Sequence, residues 1–107
     1  MSAAQVIANY ELLSALTVQM RNAAQQGAWD QLISIESQRT ALLADMKPVD
    51  AVVKLDETAQ RRKVQLIEKI LADDAQTRNY TQVWMSQLQL NIDSNSTEQR
   101  LRQAYGV

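Results

Sequence analysis

Gly27-Ala28-Trp29-Asp30 is the stretch on which the fold turns. Glycine readily takes the left-handed backbone that closes a helix, and here an indole with a carboxylate beside it follows at once. Long helical patterns run on both sides of the break. Only one other glycine, Gly106, and one proline, Pro48, occur in 107 residues, so each interruption marks a boundary.

Before the break, residues 2–26 place Val6, Tyr10, Leu13, Met20 and Ala24 on a stripe at steps of three and four, with Leu12 and Leu16 widening it. That pattern predicts an amphipathic helix of ~37 Å at a rise of 1.5 Å per residue. After the break, residues 28–46 carry Trp29, Leu32, Ile33 and Leu43 on one face and Ile35, Leu42 and Met46 on an adjacent one. Such a helix is too apolar to be buried on one side only. Pro48 is expected to stop it, because proline has no N–H and disfavours helical geometry in the residue before it.

A third helix is predicted to begin between Asp50 and Glu57 and to run over about 57–92, free of Gly and Pro. Val64, Ile67, Leu71, Met85, Leu88 and Ile92 share one stripe of it, and Leu66, Ile70, Tyr80 and Trp84 another. Asp73, Asp74, Gln76, Arg78 and Asn79 form a polar waist that interrupts both. Asn91 to Asn95 reads as a helix end, and Ser96-Thr97-Glu98-Gln99 as the capped start of a short helix over about 96–105. The expected fold is all-α: one domain, residues 1–107, an antiparallel three-helix bundle with a long third helix and a short C-terminal fourth helix.

The composition excludes more chemistry than it offers. With no His and no Cys, imidazole catalysis, thiol chemistry, His ligation of metals and disulfides are all removed. Eleven Lys+Arg against twelve Asp+Glu leave a net charge of -1, which gives no field to draw the chain to nucleic acid or anionic lipid. The run Arg61-Arg62-Lys63 points three ways on a helix and reads as a solvated face. No apolar stretch approaches the ~18 residues of a membrane span, and Met1-Ser2-Ala3-Ala4 lacks the basic start of a signal peptide. The expectation is a soluble, unexported chain that inserts in no membrane.

Asp73-Asp74 is the most enzyme-like feature. Adjacent helical residues diverge by ~100°, so the two carboxylates do not converge on one substrate or one metal. With no third group joining them, the reading is a polar interruption facing solvent or a partner, and no catalytic, cofactor or metal residue is assigned. Glu36 and Arg39, three apart, are placed to form a surface ion pair, and Trp29 and Trp84 read as core anchors. The two apolar faces of the second helix and the split stripes of the third suggest more apolar surface than a three-helix core consumes. Helix-in-groove recognition and homodimerisation both use such a surplus. A partner surface is therefore expected at Leu42, Leu43, Ile67 and Leu71, with Arg78 fixing register. Leu101 and Tyr105 are expected to pack a C-terminal flap near it.

Gly27-Ala28-Trp29-Asp30-Gln31-Leu32, with Glu36 following, resembles the Gly-x-Trp-Asp turn of the FliT family of flagellar export chaperones. The Ile70-Leu71 pair with Asp73-Asp74, the length of the third helix and Ala104-Tyr105-Gly106 extend the resemblance over essentially the whole chain. Some relatives continue past the Ala-Tyr-Gly with a further tail, where this sequence stops at Val107. The resemblance implies a cytoplasmic type III export chaperone for the filament-cap subunit. It also implies delivery of that client to the export ATPase and export gate, and restraint of the flagellar master transcription activator. The alternative is an anti-activator that works by protein–protein binding only, without DNA contact.

Overall fold

Three long helices account for most of the computed structural model, which describes residues 2–88 and 102–105. Helix α1 (Ala3–Gln26) starts where the Ser2 hydroxyl accepts the Gln5 amide at 3.2 Å, satisfying one of the orphan donors of a helix N-terminus. It ends at Gly27, left-handed at φ 71° and ψ 21°. The Gly27 N–H donates to the Ala24 carbonyl at 3.2 Å and the Ala28 N–H to Ala23 at 2.8 Å, which closes the last turn. A Cβ at position 27 would meet Trp29 Nε1 no closer than 3.8 Å, so glycine is required for its backbone angle and not for space.

Helix α2 (Trp29–Asp50) departs at once from that turn. It does not stop at Met46: the helix passes through Pro48 and ends at Asp50, contrary to the expected 28–46. Pro48 stands in the last turn, where it deprives only the Ala44 carbonyl of an amide. Ala44 and Pro48 are both exposed, so water satisfies that oxygen. Helix α3 (Glu57–Leu88) opens on the Asp56 carboxylate, which accepts the Ala59 amide at 2.8 Å. A short helix, α4 (102–105), follows. The expected continuation of α3 to Ile92, the start of the fourth helix at Ser96, the packing of Leu88 and the place of Leu101 lie outside the described residues.

Helix α1 is the spine. It packs along both α2 and α3, and these two meet each other through their side chains, Trp29 on Trp84, Arg39 on Asp74 and the shared apolar clusters. The resulting rod measures 52 × 20 × 18 Å. Two apolar clusters fill it. Near the Gly27 end, Leu16, Met20, Leu32, Ile35 and Met85 pack together beneath Trp29, Tyr80 and Trp84. Near the Pro48 end, Val6, Tyr10, Leu13, Met46, Leu66 and Ile70 form the second. Leu12 and Val64, each placed on an apolar stripe, are 51% and 44% exposed. Thr17 takes the vacant place on the α1 stripe between Leu13 and Met20.

Between the clusters the core is polar. Thr17, Thr77 and Thr81 are fully buried, and each hydroxyl donates to a carbonyl of its own helix, those of Leu13, Asp73 and Arg78. These short side chains satisfy themselves and let the helices approach closely. Asp73 and Asp74, expected to face solvent or a partner, form ion pairs within the bundle. The ~100° between them sends Asp73 to Arg21 of α1 at 2.7 Å and Asp74 to Arg39 of α2 at 2.6 Å. Lys69 adds a second cation to Asp73 at 2.8 Å. Thus the waist of α3 ties the third helix to both others.

At the far end, the Tyr10 hydroxyl donates to the Asp50 carboxylate, and Lys63 lies 5.4 Å from the centre of the Tyr10 ring. One residue of each helix meets there. Burial, and then the bond to Asp50 and its charge, push the Tyr10 phenol up to about 12. The folded chain therefore holds that proton more tightly than the unfolded chain. The stability it contributes is full below the unfolded value of about 10 and is lost as pH rises towards 12. Urea midpoints measured at pH 8 and 11.5 should fall more steeply for the parent than for Tyr10→Phe. Parallel falls would mean that the hydroxyl titrates as it does in the unfolded chain.

Candidate functional site: the cleft between α2 and α3

Cross-helix contacts set the register of α2 against α3. Trp29 stacks on Trp84 with ring centroids 5.1 Å apart. Arg39, ten residues later, reaches Asp74, ten residues earlier. Eleven further steps bring Asp50 and Lys63 together on Tyr10. In this antiparallel register Leu42 and Leu43 lie level with Ile70 and Leu71, and Met46 with Ile67.

Of the sequence-predicted residues, Leu42, Leu43, Ile67, Leu71, Arg78 and Tyr105 lie along the α2–α3 seam with unequal exposure. Leu71 is 62% exposed and Leu43 44% exposed, and the register sets them at one level. Leu42 is half-buried and touches both apolar clusters, while Ile67 packs partly on the second. These two are the floor. Arg78 is exposed, one turn beyond Asp74. The floor at its middle is the Arg39–Asp74 pair, whose side chains are only 16% and 17% exposed. Arg39 also donates to the Thr17 hydroxyl at 3.4 Å, so α1 holds it in place.

The surface pair expected between Glu36 and Arg39 does not form. Glu36 accepts from Thr40 at 2.9 Å, and Arg39 turns inward to Asp74. A mostly buried carboxylate across the cleft offers a stronger, less screened partner than an exposed one on the same helix. Sequence pattern alone did not reveal Arg39 as part of the site. The one available signal was the excess of acidic residues in the α3 waist, which needs cations from elsewhere.

Tyr105 occupies the cleft. Its ring packs on the apolar cluster near the Gly27 end, and Gln103 and Ala104 border a shallow pocket with Ile33 and Glu36 of α2. Burial drives its phenol well above the ordinary range. Arg39 and Arg78 oppose that rise, and Asp74 and Glu36 add to it. The segment α4 thus reaches the polar middle of the cleft and bridges α2 and α3. Among the described residues, no three Asp or Glu gather where they could hold a metal ion. Nor is any described helix long and apolar enough to cross a membrane.

Residues 7–107 match the family described as flagellar protein FliT. This chain belongs to the FliT family. A curated relative, the flagellar protein FliT of Cronobacter sakazakii, is 29% identical over 100 residues, covering 92% of this chain and 81% of its own length. No solved structure matches the chain. The FliT match spans the Gly27 turn, both walls of the cleft and the Tyr105 segment alike, so the site lies wholly within the family region.

Proposed function

We propose that this FliT-family chain is a cytoplasmic export chaperone that receives an amphipathic helix of the flagellar filament-cap subunit in the α2–α3 cleft. The observation that carries the reading is the apolar surface left over along the α2–α3 seam, where Leu43 and Leu71 stay exposed at one level beside the half-buried Leu42 and Ile67. Apolar side chains at i, i+3, i+4 and i+7 of an incoming helix fit such a groove. Covering them keeps an aggregation-prone segment soluble until it is handed to the export ATPase and export gate. The contact is mainly apolar, so moderate salt weakens it little. The same surface serves for restraint of the master transcription activator, which makes client and activator competitors. A homodimer formed through the open cleft would compete with both.

In this reading α4 is a flap over the client site. Its few apolar side chains give a small contact area, and a site that is covered part of the time shows an affinity reduced by the open fraction. Calorimetry with the cap subunit's terminal helical segment tests this. Deletion of everything after Ser94 should tighten binding by ~3- to 10-fold, the reciprocal of the open fraction for a weakly held flap. Unchanged or weaker binding, with helicity retained, would make the segment a structural cap. Co-purification that yields only a DNA-binding activator, and no cap subunit, would favour the anti-activator role.

A further inference from the structure

The buried indole N–H groups of Trp29 and Trp84 have no hydrogen-bond partner. Both rings are held in place, because each stands on a long helix and the two stack with centroids 5.1 Å apart. A buried donor without an acceptor forfeits the bond it made to water. Two such donors at one end of the bundle point to an acceptor that arrives with a ligand.

Both indoles adjoin open space. A cavity of 450 Å³ lies between the end of α1 and the distal part of α3, where Gln26, Trp29, Tyr80, Val83 and Trp84 line it. A second, of 320 Å³, reaches the same two rings from the side of Asp30 and Gln31. Gly27 borders both. Apart from its chain neighbours, a Cβ at Gly27 would meet only Trp29 Nε1 within 4 Å, at 3.8 Å. The space that a side chain would fill is thus open, and an oxygen settling slightly deeper there comes within the ~3 Å of an N–H···O bond.

The lining selects the occupant. Asp30 is the one charged side chain that lines either cavity, and α1 ends here with no basic residue in its last turn, so its carbonyl end adds negative potential. Anionic segments are disfavoured by that field. A cation would suit it but would leave both donors without an acceptor. What fits is uncharged, accepts hydrogen bonds and carries apolar surface to cover Tyr80 and Val83, the latter 60% exposed. Helices and paired strands have already used their carbonyls. A polyproline II segment has not, and its rings pack on aromatic faces.

We propose that the Trp29–Trp84 end of the bundle is a second docking surface, for an extended, proline-containing segment of a partner protein. The segment's carbonyls accept from the two indole N–H groups, and its rings lie against Tyr80 and Val83. No residue of α4 lines this surface. Leu43 and Leu71 lie more than three helical turns farther along α2 and α3.

Two tryptophans give two indole N–H signals in a proton–nitrogen NMR spectrum of the full chain. Blocked hexaproline should move both proton signals downfield, saturably, with a Kd on the order of 1 mM, as suits one short contact. A blocked Gly-Ser peptide of equal length should move neither. Trp84→Phe keeps an aromatic ring in the stack and removes one donor, so it should weaken hexaproline about five-fold, the worth of one hydrogen bond. Val83→Asp, at an exposed position, should weaken it by at least as much without loss of helicity. Indole signals that stay in place at ~10 mM hexaproline, ten times the expected Kd, would overturn the site. Equal shifts with the Gly-Ser peptide would overturn the preference for proline. Parent-like binding by folded Trp84→Phe would remove the indole as donor, and parent-like binding by Val83→Asp would remove this surface whether or not Trp84→Phe folds.

Discussion

Leu32→Ala is expected to lower the free energy of unfolding by about 2–5 kcal/mol, the range for truncating a fully buried leucine. Leu32 has 0% exposure and lies in the first turn of α2, among Leu16, Met20, Ile35 and Met85. Its amide bonds back to the Ala28 carbonyl at 3.0 Å, one residue beyond the left-handed Gly27. The backbone there is pinned by the turn, so it cannot readily collapse into the space left by the side chain. Measured against a typical total of ~5–15 kcal/mol, the loss is a large fraction of the fold. Urea unfolding with Leu71→Ala as the companion makes the comparison sharp, because an exposed position should move the midpoint by ~0.5 kcal/mol or less. Equal effects at Leu32 and Leu71 would mean that the apolar cluster at the Gly27 end is not the main core.

The largest functional effect is expected from Leu71→Asp. At 62% exposure the side chain supports little of the fold, so helicity and melting should be preserved. In the proposed complex it is covered by an apolar helix, and a carboxylate there would be desolvated with no partner. Affinity for the cap subunit's terminal segment should fall by ~30-fold or more, the loss of about 2 kcal/mol that marks a central contact. Leu43→Asp, level with it across the cleft, should act alike, and the pair should be less than additive if one helix touches both. Parent-like binding by the folded Leu71→Asp chain would remove this cleft as the client site.

These predictions rest on two kinds of residue that the sequence shows unequally well. Leu32 is legible from its place on a helical stripe next to the Gly27 turn, and the structure buries it. Leu71 belongs to a stripe that also includes Met85, yet Met85 is buried at 7% and Leu71 is exposed. Periodicity places both on one helix face. Only the packing of the neighbouring helices decides which part of that face is covered.

The order of the long helices and the turn between the first two are legible in the sequence. A left-handed glycine and unbroken runs of three-and-four spacing are local features, and local backbone energetics suffices to read them. The sequence also limits the chemistry available, since a chain without His or Cys has a short list of reactive groups. Where the charges and the surplus apolar surface go depends instead on how the helices pack. Asp73 and Asp74 point to different helices because they are ~100° apart, but that Arg21 and Arg39 wait there depends on helices separated by dozens of residues in the chain. Pro48 is tolerated because its turn is exposed, and Thr17 completes a core stripe because its hydroxyl donates to the Leu13 carbonyl of its own helix. In each case the deciding energy is desolvation, which is a property of what surrounds a residue and not of the residue or its neighbours in sequence.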